Sequence, residues 1–188
     1  MEENKLIDKI IAGDESAFKE LYDTFSSRVY NTALGFVQSA EDAEDVTQEI
    51  FVSIFRSLES FKRDSTLSTW IYRITVNKSL EHIRSKKRKK RFGIVKSIFQ
   101  KEEVEEPIEF IHPGIIAENS ERGKIIFRAI EKLTENQKTA FLLNKVENLS
   151  YKEISDIMKL SLSSVESLIF RARDNLKREL YNYYKDKI

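Results

Sequence analysis

Apolar residues recur three and four positions apart over two long stretches of this chain, and the stretch from Phe92 to about Ser120 breaks the pattern. That spacing is the signature of amphipathic helices, so few folds remain besides two helical bundles carried on one chain. In the first stretch Phe18, Leu21, Tyr22 and Phe25 share one helix face. A second helix follows Ser39, opens with the acidic residues that suit a helix N-terminus, and carries Ala43, Val46, Ile50, Phe51, Ile54, Phe55 and Leu58. A third, with Trp70, Ile71, Ile74, Leu80 and Ile83, runs into the basic segment Arg84 to Arg91, where only Ser85 is uncharged. The spacing of Trp70 to Ile71 and Ile74 assigns it to the core.

Five glycines and two prolines in 188 residues leave little to interrupt helices, and 40% hydrophobic residues suffice to bury cores. The expected fold is all-α: two small helical domains, 14–92 and 121–188, joined by a flexible linker over 93–120. The linker holds both prolines, two of the glycines and the acidic run Glu102, Glu103, Glu105, Glu106 and Glu109. It also repeats Ile94, Val95, Ile98, Phe99, Ile108, Phe110, Ile111, Ile115 and Ile116, more than a solvated tether requires, so docking of some of them is expected.

Several chemistries have no visible machinery. Without cysteine there is no disulfide, thiolate metal site or Cys nucleophile, which fits a reducing compartment such as the cytoplasm. No apolar run approaches the roughly 20 residues of a membrane span, so no membrane insertion is expected. Neither a Gly-rich phosphate loop nor a Gly-x-Ser-x-Gly elbow occurs. His82 lacks a Glu three residues before it, and the pair Glu109 and His112 lies in the linker, which argues against a bundle metal site. The expectation is a non-enzymatic chain with no cofactor and no metal. Its net charge of +1 rules out binding nucleic acid by bulk attraction, and the charge is instead arranged in blocks.

The most specific local pattern runs from Ser150 to Arg173 and reads as a helix-turn-helix. Ser150 with Glu153 matches a capping box, Ile154 and Met158 face inward, and small Ser155 allows a close helix crossing. Ser163 or Ser164 then caps a second helix whose inner stripe is Val165, Leu168, Ile169, Ala172 and Leu176. Glu166, Ser167, Phe170, Arg171 and Arg173 are left outward, residue types that read bases and hold phosphates. A plain helical hairpin has the same apolar spacing, so the pattern alone does not decide between them.

Two segments of the first half add a family resemblance. Ala40 to Phe51, Ala-Glu-Asp-Ala-Glu-Asp-Val-Thr-Gln-Glu-Ile-Phe, resembles the segment by which sigma factors engage core RNA polymerase. Ser60 to Ser65 and Ser68 to Asn77, continued by Leu80 and Arg84, look like the promoter-melting and minus-ten-reading part of the same family. With the helix-turn-helix following and no separate middle domain, the chain resembles the extracytoplasmic-function (ECF) subfamily of the sigma-seventy family.

The resemblance implies an exchangeable initiation subunit with three partners: core RNA polymerase, promoter DNA and an anti-sigma factor. It implies that Asp45, Gln48, Glu49 and Phe51 contact the polymerase, although acidic residues at a helix start also serve its dipole and solubility alone. Phe61, Lys62, Arg63, Arg73, Asn77 and Arg84 would serve the minus-ten element, with Phe61 walling a pocket for a flipped base and Asn77 bonding a base edge. The Arg84 to Arg91 run would meet phosphates. Minus-thirty-five recognition falls to Glu166, Ser167, Phe170 and Arg171, with Arg173 on a phosphate. The chain departs from the family at Ser163, where many relatives have Gly, and at Glu166 and Leu168, where many are basic. Weaker phosphate attraction follows, and Glu166 could accept from a cytosine amine. A stand-alone regulator built on the same helix-turn-helix would differ by binding promoters without polymerase.

Overall fold

The computed structural model describes residues 2–96 and 121–185, and among them it contains eight α-helices, one 3-10 turn and no strand. The first bundle comprises α1 (Glu2–Ile11), α2 (Glu15–Val37), α3 (Ala40–Ser57), the 3-10 turn Leu58–Ser60 and α4 (Leu67–Lys96). The second comprises α5 (Glu121–Glu131), α6 (Glu135–Lys145), α7 (Tyr151–Met158) and α8 (Leu162–Lys185). The expected all-α architecture of two helical domains is therefore what the chain adopts. Linker docking concerns side chains outside the described residues.

Short-range chemistry sets the helix starts. The Asp14 carboxylate accepts from the amides of Ser16 and Ala17 at 2.9 and 3.2 Å, satisfying two donors that α2 cannot pair internally. Ser39 does the same for α3 through the Asp42 amide at 3.2 Å. Thr134 with Gln137 and Ser150 with Glu153 close reciprocal capping boxes on α6 and α7. One cap differs from expectation. Ser161, not Ser163 or Ser164, caps α8, accepting from the Ser164 amide at 3.2 Å; helical geometry begins at Leu162, so the later serines are already inside the helix.

The first core packs Leu21 and Val29 of α2 against Val46, Ile50 and Ile54 of α3 and Leu67 and Ile71 of α4. Ile7 and Ile10 of α1 belong to it at 1% and 4% exposure, so the first bundle starts ahead of residue 14. The ten-residue α1 is too short to persist in water alone and gains its stability from those two buried isoleucines. In the second bundle Ala129, Ile130 and Leu133 meet Ala172 and Leu176, fixing α5 on α8.

A third core belongs to neither bundle alone. Phe36 of α2 and Tyr72 and Val76 of α4 are buried together with Ala140, Leu142 and Leu143 of α6, Ile154 and Ile157 of α7, and Val165 and Ile169 of α8. Gly35 of α2 packs close beside it: a Cβ there would stand 3.2 Å from Leu142 Cδ2, a tight contact that the leucine side chain would have to yield to by a few tenths of an ångström. The two bundles thus share a joint of α2 on α6 and α4 on α7.

Candidate nucleic-acid interface

On α8 the buried stripe Val165, Ile169, Ala172 and Leu176 turns the opposite side of the helix to solvent. Glu166, Ser167, Phe170 and Arg171 together line one shallow concavity on that side, and Phe170 is 73% exposed. Arg173 is also exposed, at a position flanking this group. The preceding α7 is fixed at the crossing by Ser155, whose hydroxyl donates to the Leu160 carbonyl at 2.7 Å, and by Lys159 in the left-handed region at φ 54°. Glu153 is held below the usual carboxylate range by hydrogen bonds from the Ser150 hydroxyl and amide.

The residues assigned to the first bundle are distributed over two surfaces. Asp45, Gln48 and Glu49 are exposed on α3, as expected for a contact edge. Phe51 is not: it is 5% exposed, and its ring lies beneath Tyr22 at a centroid distance of 4.6 Å. The aromatic standing outside is Phe55, 57% exposed and packed edge-on against Phe18 at 5.2 Å, with exposed Val52 one turn before it. Sequence reading placed Phe55 in the core stripe. On a helical projection it falls past the edge of the stripe centred on Val46, Ile50 and Ile54, which is the signal that separates it from Phe51.

Around the start of α4, Phe61 is 7% exposed and stacks obliquely on Trp70 at 5.0 Å, so the pair forms one wall. Trp70 packs against the first core while keeping partial exposure. Lys62 and Asn77 are exposed. Arg63 pairs with Asp8 of α1. Asp42, at the start of α3, receives His82 Nε2 at 3.2 Å and Lys86 Nζ at 2.8 Å. Burial opposes its ionisation, but the hydrogen bonds and charges of Lys86 and His82 prevail and keep the carboxyl below its usual range.

Two of the assigned arginines face the second bundle. Arg73 directs Nε and Nη2 at the Asp156 carbonyl, at 3.3 and 2.8 Å. Arg84 forms a two-pronged pair with Glu135, Nε to Oε1 at 3.1 Å and Nη2 to Oε2. That pairing holds Glu135 below the usual carboxylate range.

Comparison with known proteins agrees with this layout. Residues 21–89 match the model for sigma-70 region 2, and residues 124–176 match that for sigma-70 region 4. The chain is 33% identical over 178 residues to the ECF RNA polymerase sigma-E factor of Escherichia coli, covering 93% of this chain and 92% of that protein. It is 29% identical to the RNA polymerase sigma-H factor of Pseudomonas aeruginosa, covering 95% and 94%. Among solved structures, CnrH in complex with the cytosolic domain of CnrY aligns with a TM-score of 0.68 at 21% identity, over 96% of this chain and 97% of that one. The sigma factor RpoE bound to the anti-sigma factor NepR from Bartonella quintana aligns with a TM-score of 0.63 at 20% identity, over 87% and 96%.

Proposed function

Because the chain belongs to the extracytoplasmic-function sigma factors of the sigma-70 family, we propose that it binds core RNA polymerase through the α3 edge, reads and opens the minus-ten element with the first bundle, and reads the minus-thirty-five element with α8. The observation that carries this reading is that two separate family regions coincide with two separately exposed surfaces on one chain.

On the polymerase side, Asp45, Gln48 and Glu49 supply charge and amide hydrogen bonds, and Val52 and Phe55 supply the apolar anchor. Phe51 lies beneath the surface against Tyr22, and Phe55 rests on Phe18. This is the composition of an interface hot spot, a desolvatable aromatic ringed by polar groups. The chemistry of nucleotide addition belongs to the polymerase, and this chain contributes recognition.

In the minus-ten region the stacked pair Phe61 and Trp70 walls the site for an unstacked base, Asn77 offers an amide to a base edge, and Lys62, Arg63, Arg73 and Arg84 serve the backbone. Extruding a base costs a few kcal/mol, offset by stacking and hydrogen bonding. Along α8, Arg171 pairs with a guanine, Glu166 accepts from a cytosine amine, Ser167 and Phe170 contact base edges or a thymine methyl, and Arg173 holds a phosphate. An anti-sigma factor is the regulator, in keeping with the aligned RpoE structure, which is of a complex with one.

Transcription in vitro from a promoter library with purified core polymerase tests the reading. Specific transcripts that appear only when the chain is added are expected; promoter binding by the chain alone, with no polymerase-dependent initiation, would overturn it.

A further inference from the structure

From Arg84 to Arg91 the sequence has no apolar side chain, so burial of apolar surface cannot orient this part of α4 and polar contacts must. What ties the turn from His82 to Lys86 to α3 is one carboxylate. Asp42 stands with Oδ1 3.2 Å from His82 Nε2 and accepts at Oδ2 from Lys86 Nζ at 2.8 Å. Its own place is fixed by the Ser39 cap, which takes the Asp42 amide at 3.2 Å. Its side chain is 17% exposed, against 41% for Lys86, so the fork is anchored on the side of the bundle.

Arg73, Asn77, Arg84 and Arg88 follow one another at intervals of four, seven and four residues. Those are about one, two and one helical turns, so the four share one side of α4. His82 and Lys86 are four apart as well, but Arg84 lies two residues from each, a rotation of about 200°. The contacts agree: Arg73 and Arg84 turn toward the second bundle, and His82 and Lys86 toward α3. The fork therefore grips the back of the helix whose front carries the minus-ten residues. Arg88, one turn beyond Arg84, is exposed on that front. Two cations one turn apart on a single carboxylate resist both roll about the helix axis and sway away from α3, whereas one ion pair would leave the roll free.

We propose that Asp42 is a positioning residue for strand recognition: through His82 and Lys86 it sets the roll of α4 so that Asn77, Arg84 and Arg88 meet the nucleic acid together. Lys86 then acts on protein, and Arg88 acts on phosphate. The proposal rests on the minus-ten reading of that face. An acidic residue in the first turn of α3 also favours the helix dipole; removing His82 and Lys86 opens the fork and leaves that charge in place.

The chain has no cysteine, so spin labels at exposed Glu20→Cys and Lys89→Cys report the distance from α2 to the outgoing turn of α4 without background. Pulsed dipolar spectroscopy on the free full-length chain should give a narrow distribution. Asp42→Ala, and His82→Ala together with Lys86→Ala, should broaden it alike. All three changes combined should broaden it no further, because both routes break the same contact. With core polymerase in excess, each should lower affinity for a fluorescein-labelled single strand, carrying the non-template sequence of a promoter found by transcription, by about three- to tenfold. That loss corresponds to a competent orientation populated for about a third to a tenth of the time. Salt gives a readout that a purely stabilising role does not move. Lys86→Ala should lower affinity at an unchanged slope of log affinity against log salt, and Arg88→Ala should make the slope shallower by about 0.7, the single-strand value for one phosphate.

A distribution that stays narrow in Asp42→Ala overturns the fork, and so does further broadening in the triple variant. A shallower slope in Lys86→Ala marks Lys86 as a phosphate contact and overturns its assignment to protein. Broadening with no loss of strand affinity overturns the positioning role, and Asn77→Ala and Arg88→Ala then separate the causes. Weaker binding in those variants leaves the minus-ten reading standing and removes only the role of Asp42; unchanged binding removes the reading, and the positioning role with it.

Discussion

Lys138 and the Phe36 carbonyl meet at 2.7 Å across the joint, so a cation buried to 8% exposure is held at a helix terminus of the other bundle. The Phe36 ring lies 5.9 Å from the same ammonium, adding a weak attraction for its charge.

Burial lowers the Lys138 pKa from 10.5 to about 8, with Glu131 acting to raise it and Lys87 to lower it. A depressed pKa with the bundles in contact means that their contact releases a proton. Its contribution is complete above about 10.5 and is lost as pH falls through about 8. The interdomain distance should therefore tighten as pH rises from about 8 to about 10.5 and stay flat below that window. Lys138→Met should abolish this dependence, and it should cost about 1–3 kcal/mol through the carbonyl left unpaired. Distance distributions recorded across the window check both.

Phe51 and Phe55 separate stability from binding. Phe51→Ala empties a buried site and should lower stability by about 3–5 kcal/mol. Phe55→Ala removes a ring exposed to 57%, so its melting temperature should remain near that of the parent while affinity for core polymerase falls at least tenfold. Calorimetry beside a core-binding titration distinguishes them, and equal effects in both assays would cancel the assigned difference.

Arg171→Ala should weaken binding to the matched minus-thirty-five duplex by about 1–3 kcal/mol and relax preference at one base pair. A uniform loss over all sequences, together with a salt slope shallower by about one, would instead mark a phosphate contact.

The caps of the helix-turn-helix offer a stability test away from any proposed DNA contact. Ser150→Ala should cost about 1 kcal/mol, because it breaks both halves of the capping box on α7. Ser161→Ala should cost a similar amount at the start of α8, whereas Ser163→Ala should be near neutral. Chemical denaturation of the three variants reads this order directly.

What the sequence disclosed divides along the range of the interactions involved. The box of Ser150 and Glu153, the acidic start of α3 after Ser39 and the outward set on α8 depend on neighbours within a turn or two, and they were legible. The joint was not, because Tyr72 and Val76 stand outside the apolar stripe of Ile71 and Ile74 and their burial depends on the second bundle. Nothing local distinguishes a helix buried on two sides from one with a broad single face. Phe51 and Phe55 were merged for a related reason: both sit at three-and-four spacing, and only the angular centre of the stripe tells which lies inside. Ile7 and Ile10 escaped because α1 has too few turns to establish a period. Their value comes from packing against helices distant in sequence.

The pair of Arg84 with Glu135 also bears on how this chain should respond to ionic strength. Its guanidinium is neutralised by a carboxylate before any nucleic acid arrives. Exchanging that carboxylate for a phosphate swaps one anion for another, and salt weakens the arginine's hold on either. The measured dependence of strand loading on salt will then be smaller than the number of phosphates finally touched, and a phosphate tally read from its slope alone will come out too low.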